Sequence, residues 1–325
     1  MNTVSSSPHI SCDESVPKIM WNVVFALVPA ALFGVIYFKT NALIIVIVSI
    51  LSAVLAEYLV QKFRKQPISI SDGSAVLTGL LLAMCMPPTI PPYMAGIGAA
   101  IAIVIGKHSM GGLGQNIFNP AHIGRAALMV SWPVAMTTWS QVTTSVDAVT
   151  SATPLNIAKM QGYDALIQTY GGNMELYKAL FFGTRNGCIG ETCTILLLLG
   201  GIYLIYKKYV NWQIPVVMIG TVGIFTWVFG PNGFFTGDPA FHMMAGGLVI
   251  GAFFMATDMV TIPITKKGQL IFAFGAGLIT AIIRLQGGYP EGVCYSILLM
   301  NALTPLIDRL VKPKIFGHKE VSQDV

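Results

Sequence analysis

The Thr153 hydroxyl stands two residues after Ser151, with Thr150 before that serine, Asp147 six positions upstream and Pro154 directly behind. This is a polar loop inside an otherwise strongly apolar chain. The local reading is a capped helix start. Thr153 is the N-cap and Pro154 the first helical residue of a short helix over Leu155 to Gln161. A helix N-terminus with free amides also suits a phosphate, so a cap and a phosphoester at the Thr153 hydroxyl are compatible.

The spacing Asp147-x-x-Thr150-Ser151-Ala152-Thr153 resembles the Asp-x-x-Ser/Thr-Gly/Ser-Ala-Thr pattern, on which a dedicated flavin transferase esterifies FMN phosphate to the last threonine. Ser151 departs from the commoner glycine, and its side chain is still small. A second polar set is Gly111-Gly-Leu-Gly114-Gln115-Asn116-Ile-Phe-Asn119-Pro120-Ala-His122-Ile-Gly-Arg125. Its glycines permit a bend and the close approach of a planar group to the backbone. Asn116 and Asn119 offer donors and acceptors that match the edge of an isoalloxazine ring. Arg125 could balance a phosphate or a reduced flavin. Read as plain structure, the segment is a loop between helices, with Asn119-Pro120 starting the second.

Intramembrane polar groups are costly and ask for a reason. Asp72 and Asp238 stand at helix starts, where an N-cap accounts for each. Asp258 ends an apolar span, where the helix dipole disfavours an anion and a compensating donor or ligand is needed. Glu57 lies in the last turn of the second span, within reach of the aqueous interface.

Composition fixes the class. The chain has 325 residues, 54% hydrophobic and 10% charged, where soluble domains carry roughly 25% charged residues. The net charge of +5 is what cationic cytoplasmic loops produce, and no basic-aromatic cluster points to nucleic acid. The polar first twenty residues do not form a cleavable leader. Cys12, Cys85, Cys188, Cys193 and Cys294 contain no CxxC pair and no neighbouring histidine that would complete a zinc or iron–sulfur set, so they read as small apolar fillers. No metal site or hydrolytic motif is recognisable.

Spans need about 20 apolar residues. Trp21 to Phe38, Ala42 to Gln61, Tyr93 to Gly106, Ile189 to Tyr206, Gln213 to Phe229, Pro239 to Thr257, Leu270 to Ile283 and Gly292 to Leu306 fit or come close. Ser74 to Met86 and Pro120 to Trp132 are too short and read as broken or re-entrant helices, which need protein or a polar cavity around them. The expected fold is an all-α polytopic membrane protein with about ten transmembrane helices in two inverted five-helix repeats. Asp72-Gly-Ser-Ala-Val and Asp238-Pro-Ala-Phe-His open the paired third and eighth spans, and Gly96-Ile-Gly-Ala-Ala echoes Gly275-Ala-Gly-Leu-Ile. The expected divisions are an N-terminal segment (1–18), a first repeat (19–133), an extracytoplasmic loop with Thr153 (134–187), a second repeat (188–310) and a tail (311–325). Lys62, Arg64, Lys65, Lys107, Lys207, Lys208, Lys266, Lys267 and the C-terminal basic residues fall on one side. Lys39, Lys159, Lys178, Arg185 and Arg284 fall opposite, which makes both termini cytoplasmic by the positive-inside rule.

These features together resemble the RnfD proteins of Rnf-type ferredoxin:NAD oxidoreductase complexes and, more distantly, the NqrB proteins of sodium-translocating NADH:quinone reductases. The matching residues are Ser7-Pro-His-Ile10, Ser71-Asp-Gly73, Asn116-Ile-Phe-Asn-Pro-Ala121, Gly124-Arg-Ala126, Ser151-Ala-Thr-Pro-Leu155 and Phe254-Met-Ala-Thr-Asp258. The resemblance implies FMN esterified to Thr153, riboflavin held without a covalent link, and a role in a translocase that couples electron transfer between ferredoxin and NAD to Na⁺ or H⁺ movement. It further implies an inner (cytoplasmic) membrane location. The implied partners are the other Rnf components: the membrane proteins RnfA and RnfE, the flavinylated RnfG on the outer face, the iron–sulfur protein RnfB and the nucleotide-binding RnfC. The maturing flavin transferase joins them. The chain has no GxGxxG fold of its own with which to handle NAD. A small-solute channel or transporter with an inverted repeat and no redox cofactor is the competing class. It would have no need of the Asp147–Thr153 loop.

Overall fold

The computed structural model describes residues 14–139, 152–230, 233–289 and 291–313. The chain begins with α1 (Val16–Phe63), capped by Ser15 and carrying proline in its first turn. Its 48 residues are two helices joined at Lys39, whose φ of 62° and ψ of −146° break the helical path. The two spans expected here therefore meet at one residue rather than across a loop. Phe25, Ile36, Leu51 and Phe63 stand exposed along α1, a surface suited to lipid or to another apolar chain rather than water.

A short turn then leads to α2 (Ser74–Met84), followed by α3 (Pro92–Ile101), which continues as a π-helix over Ala102–His108. α2 packs tightly on α1: a Cβ at Gly79 would lie 2.8 Å from Ile50 Cα, so only glycine allows that approach. Next come α4 (Pro120–Ser131) and α5 (Pro133–Thr137). Three short helices form a separate packed unit: α6 (Pro154–Met160), α7 (Tyr163–Tyr170) and α8 (Asn173–Phe182). Their Leu155, Ile157, Leu166, Leu176 and Leu180 bury against Phe241 and Ala245 as a second apolar cluster beside the main core.

After a 3-10 turn at Ile189–Glu191 follow α9 (Thr194–Tyr206) and α10 (Gln213–Val228). A two-residue antiparallel pair, β1 (Phe229–Gly230) with β2 (Gly233–Phe234), closes the next turn. The segment expected as one span, Pro239 to Thr257, is instead broken. It consists of α11 (Pro239–Met244), a bend at Gly246 with φ of 67°, α12 (Leu248–Ile250) and a π-helical stretch over Gly251–Met255. Hydropathy does not register the break because two near-neutral glycines barely lower an average set by Met243, Met244, Leu248, Val249 and Ile250. α13 (Lys266–Gln286) and α14 (Val293–Leu310) complete the chain.

Among the described residues, three helices are long and apolar enough to cross a membrane: α1, α13 and α14. Shorter apolar helices α2, α9 and α10 pack among them. The architecture is a predominantly helical, multi-pass membrane protein.

Candidate functional site

Three polar regions interrupt this apolar body. The first is a cavity with about 770 Å³ of empty space, part of it open to solvent. Ser74, Thr78, Lys107, Asn116, Asn119, Thr257 and Asp258 supply its polar lining, and Leu77, Leu81, Leu204, Phe253 and Phe254 its apolar walls. Both π-helical stretches reach it, through Lys107 and through Phe253 and Phe254.

Asn119 is the N-cap of α4, with Oδ1 accepting from Ala121 N at 3.0 Å, while Nδ2 donates to Met255 O at 3.1 Å. Its amide is thus spent on holding two segments together. Asn116 differs. Its Nδ2 donates to Phe118 O at 3.1 Å, but its buried Oδ1 has no partner among the described residues. A buried amide oxygen with nothing to accept is costly, and a ligand N–H would satisfy it. Asp258 accepts from Val260 N at 3.4 Å and borders the same cavity.

The cavity wall is backed by a buried ion network. Lys107 Nζ lies 2.7 and 2.8 Å from the two Glu57 oxygens and donates to Ser74 Oγ at 2.6 Å. Ser74 Oγ in turn donates to Asp72 Oδ1 at 2.5 Å. Lys107 and Glu57 are 2% and 1% exposed, so neither reaches the aqueous interface expected for them. Asp72 is not the N-cap of α2; Gly73, at φ of 77°, takes that position, and Asp72 accepts Ser74 N from one residue earlier.

The second region lies around Arg125, away from Asn116 and Asn119. Arg125 Nη2 pairs with Glu291 Oε2 at 2.7 Å, and both line a smaller, narrow cleft. A Glu191 oxygen, a Glu291 oxygen and Cys188 Sγ lie within 4.8 Å of one another. Arg284 donates to His242 O at 2.5 Å and Ala245 O at 2.9 Å, tying α13 to the broken segment, and Arg185 donates to Glu191 O. The charged loop ends expected for Arg185 and Arg284 are therefore buried.

The third region is Thr153. It is the N-cap of α6 as expected, with Oγ1 accepting from Asn156 N at 3.2 Å, and it is buried. Asp147, Thr150 and Ser151, the rest of that motif, lie outside the described residues, as does Ser7-Pro-His-Ile10. α6 sits on the second region: a Cβ at Gly246 would meet Leu155 Cδ1 at 2.6 Å, Arg284 Nη2 at 3.1 Å and Glu291 Oε1 at 3.6 Å. The unit is anchored by Lys159, which donates to Ile283 O and Tyr289 O. Tyr163 and Tyr177 anchor it again by donating to Asp238 Oδ2, whose Oδ1 caps α11 at Phe241 N, 3.0 Å. Burial, followed by its bond to Asp238, raises the Tyr163 phenol well above its ordinary value, which keeps it a donor.

Of the residues singled out in the sequence, Asn116, Asn119 and Asp258 come together at one cavity, and Arg125 stands apart from them. Sequence reasoning missed Glu191, Glu291 and the Lys107–Glu57 pair. The signal available was their position at span borders, where charges read as interfacial.

The sequence matches the model of the NQR2, RnfD, RnfE family over residues 3–317. It is 73% identical over 319 residues to the D component of the proton-translocating ferredoxin:NAD(+) oxidoreductase complex of Clostridium ljungdahlii, covering 98% of this chain and 96% of that one. It is 46% identical over 324 residues to the D component of the Na(+)-translocating ferredoxin:NAD(+) oxidoreductase complex of Acetobacterium woodii, covering 99% and 97%. The D component of an ion-translocating oxidoreductase complex from Actinobacillus succinogenes is 35% identical over 359 residues, covering 98% of both. With nearly its whole length matched, the chain belongs to the NQR2, RnfD, RnfE family.

Proposed function

We propose that this chain is the flavin-carrying membrane component of an Rnf-type complex that couples electron transfer between ferredoxin and NAD to translocation of Na⁺ or H⁺. The full-length likeness to the D components of two such complexes supports the assembly and its chemistry. The partners are then the remaining Rnf proteins: RnfA and RnfE in the membrane, flavinylated RnfG, iron–sulfur RnfB and nucleotide-binding RnfC. Ten spans in two inverted five-helix repeats within the cytoplasmic membrane suit the paired broken elements, α2 and the α11–α12 segment.

The observation that carries the flavin reading is Thr153. Among the described residues its Oγ1 acts as an acceptor toward Asn156 N, and the cap would survive replacement of the hydroxyl hydrogen by phosphorus. Thr153 would hold FMN as a phosphoester, with Asp147, Thr150 and Ser151 forming the pattern read by the transferase. Asn116 and Asp258, in the larger cavity, fit a non-covalent riboflavin: the orphaned Asn116 Oδ1 accepts a ring N–H, and Phe253 and Phe254 supply an apolar wall. Flavins bound at these two places would supply stepwise acceptance and release of electrons. The chain's own groups orient the ring edges and exclude water.

Peptide mass spectrometry tests the first site. The fragment containing Thr153 should carry one FMN less water, and a peptide found only unmodified in cells possessing the transferase would sink it. The Thr153 loop faces outward in this reading, so a cysteine placed at Gly171 should react with an impermeant reagent from outside. Reaction from the cytoplasm alone would invert the topology.

A further inference from the structure

The carboxyl groups of Glu191 and Glu291 lie close together in the second region, and the flavin reading gives them no work. Glu191 is 3% exposed. Glu191 Oε1 and Glu291 Oε1 have no hydrogen-bond donor among the described residues, although an oxygen of each lies within 4.8 Å of the other. An ionised carboxylate can only accept, so two such oxygens buried together leave both unsatisfied. A proton on either one converts the pair into donor and acceptor. We propose that Glu191 and Glu291 share a single exchangeable proton, forming a proton-binding site at the break between α11 and α12.

The surroundings favour a proton over a metal ion. A hard cation asks for about six oxygen ligands, and this group offers two carboxylates and the Cys188 thiol. Arg125, Arg185 and Arg284 all lie within electrostatic reach and repel a metal. These guanidiniums are permanently charged and do not titrate. Arg125 occupies Glu291 Oε2, whereas Arg185 and Arg284 direct donors to backbone carbonyls, so none of them satisfies Glu191 Oε1 or Glu291 Oε1. Among the described residues, Cys85, Cys188 and Cys294 also lie near the pair.

Binding takes one proton from water onto one carboxylate oxygen, and release returns it; no other bond changes. Gly246 brings this pair against Leu155, two residues beyond Thr153. The site thus adjoins the Thr153 segment, and its existence does not depend on flavin attachment.

Infrared difference spectroscopy on the complete complex, titrated between acid and alkaline buffer in light and heavy water, reads the site directly. A buried protonated-carboxyl band that shifts on deuteration should appear on acidification. It should be lost in Glu191→Gln and equally in Glu291→Gln, because the new amide donates to the remaining carboxylate and leaves it no need of a proton. Glu175→Gln, which removes an exposed carboxyl, should keep it. Absence of such a band from the unmodified protein overturns the proposal, a measurement that needs no variant to fold. So does its retention in both glutamine variants. Displacement of the band by added Na⁺ at constant pH would identify a metal site and overturn it as well.

Discussion

Asn119 donates its side-chain amide to the carbonyl of Met255, 3.1 Å away and 136 positions later in the chain. One side chain thereby caps α4 and pins the end of a π-helical stretch across the larger cavity. Asn119→Leu removes a cap worth about 1 kcal/mol and leaves a buried carbonyl unpaired at about 1–3 kcal/mol. A clear fall in the unfolding temperature of the complex is expected. Asn119→Asp keeps the cap and should recover part of the loss.

Asn116, by contrast, has an acceptor to spare. Asn116→Leu should lower extractable riboflavin while leaving covalent FMN at Thr153 unchanged, since attachment needs only its own loop. Flavin extraction followed by chromatography measures the first quantity, and in-gel fluorescence of denatured protein the second. Unchanged riboflavin would make Asn116 a turn former.

At Thr153 the cap and the proposed ester attachment can be separated by substitution. Thr153→Ala should abolish covalent flavin and cost about 1 kcal/mol through the missing Asn156 contact. Thr153→Ser should keep the cap and retain some attachment. Comparing fluorescence with thermal stability in the two variants distinguishes chemistry from folding.

Lys107 and Glu57 should behave as a unit. Lys107→Met strands a buried carboxylate, a loss of about 3–5 kcal/mol, and should sharply reduce the yield of folded protein. Adding Glu57→Gln removes the stranded charge and should restore much of that yield. Additive effects in this double-mutant cycle would deny the coupling.

Lys39 holds a backbone conformation that residues with a Cβ seldom adopt. Strain of this kind costs about 1–3 kcal/mol. Lys39→Gly should therefore stabilise the chain or leave it unchanged, whereas Lys39→Val should destabilise it. Thermal aggregation in detergent would rank the three.

What could be read in the sequence was what local chemistry decides. Thr153-Pro154, Asn119-Pro120 and Asp238-Pro239 each announce a helix start by residue type alone, and all three are starts. The break at Gly246 leaves no mark in the hydropathy, because a window averages over glycine. Lys107 and Glu57 read as interfacial in sequence because nothing local reports that residues 50 positions apart neutralise one another inside the fold. The gathering of Glu191, Glu291 and Arg125 likewise depends on three distant segments meeting.

The two π-helical stretches, Ala102–His108 and Gly251–Met255, flank one cavity from separate parts of the chain. A widened turn holds one residue more than the α-helical repeat and occurs frequently at functional sites. Relative to an unbroken α-helix, the extra residue rotates the side chains that follow it by about 100° around the axis. Phe253 and Phe254 sit within such a turn, so one inserted residue decides which side chains this helix turns toward the chamber. Removing a single residue from either widened turn would re-aim that wall while leaving the hydropathy of the segment unchanged.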